Sequence, residues 1–274
     1  MRRAPRPSRC SDRGSLRVQL GPVARAQGVR LLTLGEVDST NEEARRLVET
    51  GERGPLWIVA TRQTKGRGRL GREWVSPVGN LYASYIFGDF DEPRLAPQLG
   101  FVTGVAAMKA LRACAGDQNF QLKWPNDMLF EGAKLGGILL EGIASAAPLA
   151  IIGVGINVAD APSDLPYPAR ALASFGAAAP SADSLFAAFT DSLCEVLDLW
   201  RGGDGFSKVR EEWLRSASGL GERIRVAMTA ETVEGRFETI DATGRMVLDT
   251  ANGLRVIEAG DVLIGPRSAE GARG

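Results

Sequence analysis

The chain contains no histidine. Histidine is the most common general base in enzymes and the most common metal ligand. Its absence excludes Ser-His-Asp and Cys-His mechanisms. Any chemistry must therefore use lysine, arginine, carboxylates, hydroxyls and backbone amides, which are better suited to stabilising phosphate charge than to shuttling protons.

The chain has only three cysteines, no long apolar run and no excess of either charge. Cys10, Cys114 and Cys194 lie far apart with no paired spacing, which indicates neither a disulfide framework nor a cysteine metal site and fits a reducing cytoplasm. No apolar run approaches the roughly 20 residues that span a bilayer, and no secretory signal follows the basic N-terminus. Basic and acidic residues number 33 each. We therefore expect a cytoplasmic protein without membrane contact, in which any basic site is local.

The length and composition are those of a globular protein. The chain has 274 residues, 44% of them hydrophobic, which is enough for a sizeable core and for two domains. Residues 1–29 carry seven arginines and one acid, and this composition predicts a disordered extension. A targeting peptide and sequence upstream of the true start codon remain alternatives. We expect a main domain over 30–218, a small β module over 219–267 and a tail over 268–274.

Apolar periodicity predicts the elements of the main domain. Ser39 can cap a helix, with Glu42 returning the bond in a capping box. Strands at 56–60 and 81–87, the second with alternating residues, flank a loop rich in glycine and arginine. Further helices are predicted at 94–115, 181–200 and 205–216, and further strands at 121–123, 135–141 and 149–157. After residue 219, short strands separated by turns indicate an all-β module resembling a barrel.

The loop over residues 65–74 carries the strongest chemical signal. Its glycines let the backbone approach a ligand, and their amides can form an anion-binding concavity. Arg67, Arg69 and Arg72 add forked hydrogen-bond donors, so a polyanion is the natural ligand. A flexible basic surface loop and a nucleic-acid contact are the alternatives. The loop is not a P-loop, because the Gly-Lys-Ser/Thr ending is missing.

Two further segments gather polar groups or glycines. Pro125 and the Asn126-Asp127 pair turn the chain between two strands, which places Lys123 and Lys134 at one strand end. A plain hairpin is the alternative. Glycines embedded in the apolar run 153–157 mark either the close approach of a ligand or tight packing alone.

Taken in order, five motifs resemble the biotin protein ligase family. They are Ser-Thr-Asn from residue 39, Gln-Thr-x-Gly-Arg-Gly-Arg-x-Gly-Arg-x-Trp from 63, Lys-Trp-Pro-Asn-Asp from 123, Lys-Leu-x-Gly-Ile-Leu from 134 and Gly-x-Gly-Ile-Asn from 153. The resemblance extends from residue 34 to about 265. It implies an α+β catalytic domain that binds biotin and ATP. Its central mixed sheet is flanked by helices as in class II aminoacyl-tRNA synthetases, and a small β-barrel similar to src-homology-3 domains follows.

The resemblance also implies roles for individual residues. Biotin binding falls to Ser39, Thr40, Asn41, Gln63, Arg67, Gly68, Arg69, Lys134, Gly137, Gly153 and Gly155. ATP binding falls to Arg69, Arg72, Trp74, Lys123, Asn126 and Asn157. Arg67, Lys134 and Asp127 are the candidate catalytic residues, and Asp127 is the candidate for accepting or orienting a proton. Mg²⁺ is the expected cofactor, with no metal ligands assigned.

The implied reaction joins biotin to ATP as biotinyl-5'-AMP and then transfers biotin to a lysine. The expected partner is the biotin carboxyl carrier protein of carboxylases such as acetyl-CoA carboxylase. Regulatory members of the family carry a winged helix-turn-helix before the catalytic domain, and this chain has about 30 disorder-like residues there. We therefore expect no specific DNA binding, and a monomer or weak homodimer. A lipoate or octanoate ligase or transferase is the nearest alternative, and a nucleic-acid-binding module is the alternative from another class.

Overall fold

A computed structural model describes residues 18–88, 90, 92–143 and 148–263 of the chain. The expected tail over 268–274, the last residues of the expected β module and the first 17 residues of the expected extension lie outside these ranges. Within them, the chain forms a large mixed sheet with helices on its faces, followed by a smaller antiparallel sheet. This arrangement confirms the predicted α+β class.

The large sheet has seven strands in the order β1-β2-β3-β7-β6-β5-β4. Only β1 and β2 run parallel among these neighbours, and the other pairs are antiparallel. The strands are β1 Arg30–Val37, β2 Leu56–Gln63, β3 Leu81–Phe87, β4 Phe120–Lys123, β5 Asp127–Phe130, β6 Ala133–Ile143 and β7 Leu149–Ile156. The predicted mixed sheet is therefore confirmed.

Strand β3 is buried along its whole length, because both faces of the sheet are covered there. The side chains of the neighbouring strand β2 show which elements cover the two faces. Trp57 and Val59 belong to the main core beside the long helices, whereas Leu56 and Ile58 pack with Ala44 of the helix after β1. The alternation seen in the sequence of β3 therefore separates two cores rather than a core from solvent.

Five helices accompany the sheet in the described part of the chain. They are α1 Pro22–Ala26, α2 Thr40–Glu49, α3 Gln98–Ala115, α4 Ala182–Trp200 and α5 Phe206–Arg215. None of these helices is long and apolar enough to cross a membrane. The helix expected over 94–115 begins at Gln98, because Pro93–Leu95 forms a separate 3₁₀ turn.

The capping box predicted for α2 is wrong in its side chains. Ser39 occupies the N-cap position, but its side chain makes no capping hydrogen bond. Glu42 is unavailable for the reciprocal bond, because its carboxylate pairs with Arg67 of the basic loop. The start of α2 is thus tied to a loop that lies far away in sequence.

Disorder up to residue 29 is also wrong, because residues 18–29 are folded. Val18, Leu20 and Ala24 are at most 7% exposed and belong to the main core. The Ala24 amide donates to the Asp191 carboxylate of α4 at 2.9 Å. Six of the seven arginines of residues 1–29 precede residue 18, and the apolar residues after them pack in a core that includes α4, which is distant in sequence.

Strand β5 was expected to be part of a turn. It directly follows the turn at Pro125, and its four residues pair with both β4 and β6. All four are buried, including Asp127 at 8% exposure. A strand this short gives too few residues for an apolar period to be recognised.

The second sheet has five antiparallel strands in the order β11-β10-β9-β8-β12. They are β8 Arg223–Ala227, β9 Thr232–Ile240, β10 Met246–Thr250, β11 Gly253–Ile257 and β12 Asp261–Leu263. The Trp124 indole N–H donates to the Gly244 carbonyl at 3.0 Å, which joins this module to the main domain. The predicted β module is confirmed, while its boundary at residue 218 stays a prediction.

Candidate active site

A cavity of about 450 Å³ lies where the basic loop, the start of α2, the large sheet and β12 meet. It brings together all of the predicted site residues except Asn157. Those present are Ser39, Thr40, Asn41, Gln63, Arg67, Gly68, Arg69, Arg72, Trp74, Lys123, Asn126, Asp127, Lys134, Gly137, Gly153 and Gly155. Motifs separated by up to 116 residues in sequence therefore form one site.

Thr40, Asn41 and Gln63 form one side of the cavity, here called the amide wall. Thr40 and Asn41 are each 3% exposed. The Thr40 backbone N–H donates to Gln63 Oε1 at 2.9 Å, and Gln63 Nε2 donates to the Ser76 hydroxyl at 3.1 Å. These uncharged groups are held in place by hydrogen bonds within the protein, and such a surface suits a neutral polar ring.

Gly153 and Gly155 of β7 allow two cavity side chains to lie against the strand. A Cβ at Gly153 would be 2.4 Å from Asn41 Oδ1, and one at Gly155 would be 2.7 Å from the Trp74 Nε1 atom. The Trp74 indole N–H is buried and has no hydrogen-bond partner among the described residues. The two glycines thus allow the side chains of Asn41 and Trp74, which line the cavity, to pack directly against the backbone of β7.

Arg69, Arg72, Lys123 and Lys134 form the cationic wall of the cavity. The Asp127 carboxylate lies between the two lysines, 2.8 Å from Lys123 Nζ and 2.7 Å from Lys134 Nζ. Burial raises the pKa of Asp127, but the charges of Lys134 and Lys123 outweigh it and hold that pKa below its usual value. Asp127 therefore remains a carboxylate.

Two aromatic rings also hold the Lys134 ammonium. Nζ lies 5.7 Å from the Trp74 ring centroid and 5.5 Å from the Tyr167 ring centroid. The Lys134 backbone N–H donates to the Pro168 carbonyl at 2.8 Å, so the segment that carries Tyr167 pairs directly with β6. Together with Asp127, these contacts fix the ammonium in position.

The C-terminal module supplies an anion to the cationic wall. Asp261 lies 3.4 Å from the Arg69 guanidinium and also pairs with Arg72. Arg69 donates to Asn126 Oδ1 at 3.2 Å, and Lys123 Nζ donates to the Val262 carbonyl at 3.4 Å. The carboxylate of Asp261 thus neutralises arginines that face the cavity.

Arg67 lines the cavity but takes no part in the cationic wall. Its guanidinium pairs with Glu42 and lies 3.5 Å from Glu141 Oε1, beside the amide wall. The neighbouring Gly68 N–H donates to the Arg72 carbonyl at 2.7 Å. The basic loop therefore has a defined shape that directs Arg67 and Arg72 to different carboxylates.

The structure does not place Asn157 in the cavity lining. It is 2% exposed, its N–H donates to the Leu135 carbonyl at 2.8 Å, and its carbonyl accepts from Leu172 N–H at 3.0 Å. These backbone hydrogen bonds fix the chain directly after the end of β7.

Sequence reasoning missed nine residues of the cavity lining, which are Glu73, Ile138, Leu139, Val154, Pro166, Tyr167, Asp261, Val262 and Leu263. Glu73, Ile138, Leu139 and Val154 lie within the recognised motifs, whereas the other five carry no motif and could not be found in this way.

No protein cage for a metal ion is found within the described ranges, where no group of three or more acidic, cysteine or histidine side chains could hold one. Of the three carboxylates that line the cavity, Asp127 and Asp261 are each engaged by two cations. Mg²⁺ is commonly bound through substrate phosphates rather than by an all-protein site. The expected Mg²⁺ stays a prediction, and no step below depends on it.

Comparison with known proteins agrees with this geometry. Residues 34–157 match the biotin/lipoate A/B protein ligase family, and residues 219–265 match the biotin protein ligase C-terminal domain. A biotin–[acetyl-CoA-carboxylase] ligase of Paracoccus denitrificans is 35% identical over 85% of this chain and 99% of its own length. One of Mycobacterium tuberculosis is 31% identical over 92% of this chain and 95% of its own. The structure of a biotin protein ligase from Aquifex aeolicus in complex with biotin and ATP is 30% identical, has a TM-score of 0.73, and covers 85% of this chain and 97% of its own.

Proposed function

Because the chain belongs to the biotin protein ligase family, we propose that it is an ATP-dependent biotin protein ligase. It forms biotinyl-5'-AMP from biotin and ATP and then transfers biotin to a lysine of a biotin carboxyl carrier protein, such as that of acetyl-CoA carboxylase. The observation that carries the proposal is one cavity with a buried uncharged wall beside a wall of four cations. Such a cavity matches a neutral ring joined to a chain that ends in an anion.

The amide wall fits the ring of biotin. The ureido group of that ring is neutral and both donates and accepts hydrogen bonds. Thr40, Asn41 and Gln63 offer amide and hydroxyl groups of both kinds in a buried setting. Beyond the bonds they make to protein partners, amide groups have further donors and acceptors, which lipoate could not use because it has no ureido group.

The cationic wall fits the first chemical step. A carboxylate oxygen of biotin attacks the α-phosphorus of ATP, the bond to the bridging oxygen breaks, and pyrophosphate leaves. Both reactants are anions and repel one another until cations neutralise them. We assign this neutralisation to Lys134, which is already fixed by Asp127 and two aromatic rings. Removing one such donor costs about 10²-fold or more in rate.

In the second step, the carrier lysine attacks the acyl carbon of biotinyl-5'-AMP and AMP leaves. The free amine has a pKa of about 10.4 and must lose a proton before or during attack. Asp127 is poorly suited to accept this proton, because its pKa is lowered and its two oxygens each face an ammonium group. We assign Asp127 instead to holding Lys123 and Lys134 in place.

The reaction is tested by incubating the purified chain with ATP, Mg²⁺, equal amounts of biotin and lipoate, and a biotin carboxyl carrier domain. We expect the carrier to gain the mass of biotin, and the gain to disappear in Lys134→Ala. Lys109→Ala is the matched control, since Lys109 pairs with Glu195 outside the cavity. No gain beside an active reference ligase would contradict the proposal, and a lipoate-sized gain would assign the chain to lipoate transfer.

A further inference from the structure

Two residues outside the cavity lining contact the carboxamide of Asn41, a buried group of the amide wall. Glu141 Oε2 lies 2.8 Å from Asn41 Nδ2, and the Ser84 hydroxyl lies 2.6 Å from Asn41 Oδ1. Neither residue belongs to the recognised ligand set. Ser84 lies on β3 and is fully buried, while Glu141 lies on β6 with a side chain that is 20% exposed.

The chemistry of these partners permits only one orientation of the amide. A carboxylate only accepts hydrogen bonds, so the Asn41 atom that faces Glu141 must be the NH₂ group. The atom that faces Ser84 is then the amide oxygen, which has no proton of its own and accepts from the hydroxyl. The same hydroxyl also lies 2.7 Å from the Thr40 hydroxyl. A flipped amide would place its oxygen against the carboxylate, where two acceptors face each other without a proton between them.

The backbone of β7 closes the third side of Asn41. A Cβ on Gly153 would lie 2.4 Å from Asn41 Oδ1 and 3.1 Å from Nδ2, so the amide lies against the strand itself. Asn41 cannot swing aside in that direction. Its donor and acceptor are therefore presented to the cavity in one fixed arrangement.

The same carboxylate also reaches the basic loop. Glu141 Oε1 lies 3.5 Å from the Arg67 guanidinium and 3.4 Å from that of Arg45 on α2. One side chain thus contacts both the amide wall and the loop that borders the cavity. Each of its two oxygens serves one of these contacts.

We propose that Glu141 and Ser84 are positioning residues that select the biotin ring by holding the Asn41 carboxamide in one orientation, and that Glu141 tethers Arg67 through its other oxygen. This inference rests on the proposed function and adds to it the residues behind the ligand-binding surface. An unfixed amide would present donor and acceptor interchangeably, and the ureido ring would then lose hydrogen bonds in part of the population.

Biotin binding by the full chain, measured calorimetrically without ATP, tests the proposal. Glu141→Ala and Ser84→Ala should each weaken biotin binding about 10-fold, the loss expected for a hydrogen bond to a buried group. Glu141→Gln should bind biotin within about 3-fold of wild type, because its carbonyl can still accept from Asn41 Nδ2. In steady-state assays, the KM for biotin should rise in the alanine variants while the KM for ATP stays unchanged.

Glu43→Ala is the matched control, since Glu43 also pairs with an arginine of α2 but lies outside the cavity lining. It should bind biotin as wild type does. Equal losses in Glu141→Gln and Glu141→Ala would overturn the proposal, since charge rather than amide orientation would then matter. Unchanged binding in both alanine variants would also overturn it, as would a parallel rise in the KM for ATP. A wild-type chain that binds no biotin would refute the proposed function and this inference together.

Discussion

The amide wall and the cationic wall hold their polar groups in different ways. In the amide wall, Thr40 and Asn41 are almost fully buried and neutral, and their partners are other neutral groups and one carboxylate. In the cationic wall, every named cation has a carboxylate or carbonyl partner within the cavity, and Arg72 is half exposed. The first wall is built around hydrogen bonds that a ligand must match, and the second around charges whose partners a ligand can replace.

This difference follows from solvation. An unpaired neutral group in a buried site costs about 1–3 kcal/mol, and the amide-wall groups avoid this cost through bonds to protein partners that fix their orientation. An unpaired buried charge costs far more, so the cationic wall needs counter-ions when it is empty. Asp127 and Asp261 meet that need. The same cavity can therefore have one wall with fixed hydrogen bonds and one wall whose ion-pair partners can be exchanged for a ligand.

The largest expected effect is on the cationic wall. Lys134→Ala removes the ammonium that Asp127, Trp74 and Tyr167 hold, and it leaves Asp127 with one partner instead of two. We expect biotinyl-5'-AMP formation to fall about 10²-fold or more, measured as pyrophosphate release. Biotin binding in the absence of ATP should change much less. A comparable loss of biotin affinity would show that the two walls do not act separately.

Two glycines of one strand test that separation directly. Gly153→Ala should displace Asn41 and raise the KM for biotin about 10-fold, whereas Gly155→Ala should displace Trp74 and raise the KM for ATP by a similar factor. Gly142→Ala on β6 is the control, because a Cβ there meets nothing within 4 Å. If both cavity variants raised both KM values alike, the substitutions would have disturbed strand β7 as a whole, and the two contacts would not act separately.

Substitution of Asp261 is expected to have a smaller effect, and to lower the KM for ATP rather than raise it. Its carboxylate occupies Arg69 and Arg72, for which the phosphates of ATP would compete. Partly exposed ion pairs contribute about 0–1 kcal/mol, so Asp261→Asn should lower the KM for ATP by up to about 5-fold. Glu258→Gln in the same module is the control, since Glu258 pairs with Arg245, which does not line the cavity. A rise in the KM for ATP would mean that Asp261 holds the arginines ready for the nucleotide.

The two walls also differ in how much of each could be predicted from the sequence. The amide wall and the lysines of the cationic wall lie in short motifs, and the family resemblance carried by those motifs implied their roles. Asp261 and Tyr167 come from segments without a motif, and only tertiary structure brings them to Arg72 and Lys134. Glu141 and Ser84 look like ordinary strand residues, because a partner behind a binding surface leaves no pattern in the sequence.

The fold was predictable where periodicity is long. The helices α3 and α4 and the strands β3, β6 and β7 follow from apolar spacing over seven residues or more. Strand β5 was missed because it has four residues and follows a turn. The composition of residues 1–29 predicts disorder because of arginines that lie mainly before residue 18, whereas buried apolar side chains and a hydrogen bond to Asp191 of α4 hold residues 18–29 in the fold.

The smallest expected effect is that of nucleic acid on the cationic wall. The cations of this wall face a cavity and are paired with Asp127 and Asp261, and the chain as a whole carries no net charge. A duplex held by its backbone would need an open row of unpaired cations instead. Duplex DNA at physiological salt should therefore leave biotinyl-5'-AMP formation unchanged and give no mobility shift. Inhibition that weakens steeply with added salt would instead identify the basic loop as a nucleic-acid contact, because released counter-ions produce that dependence.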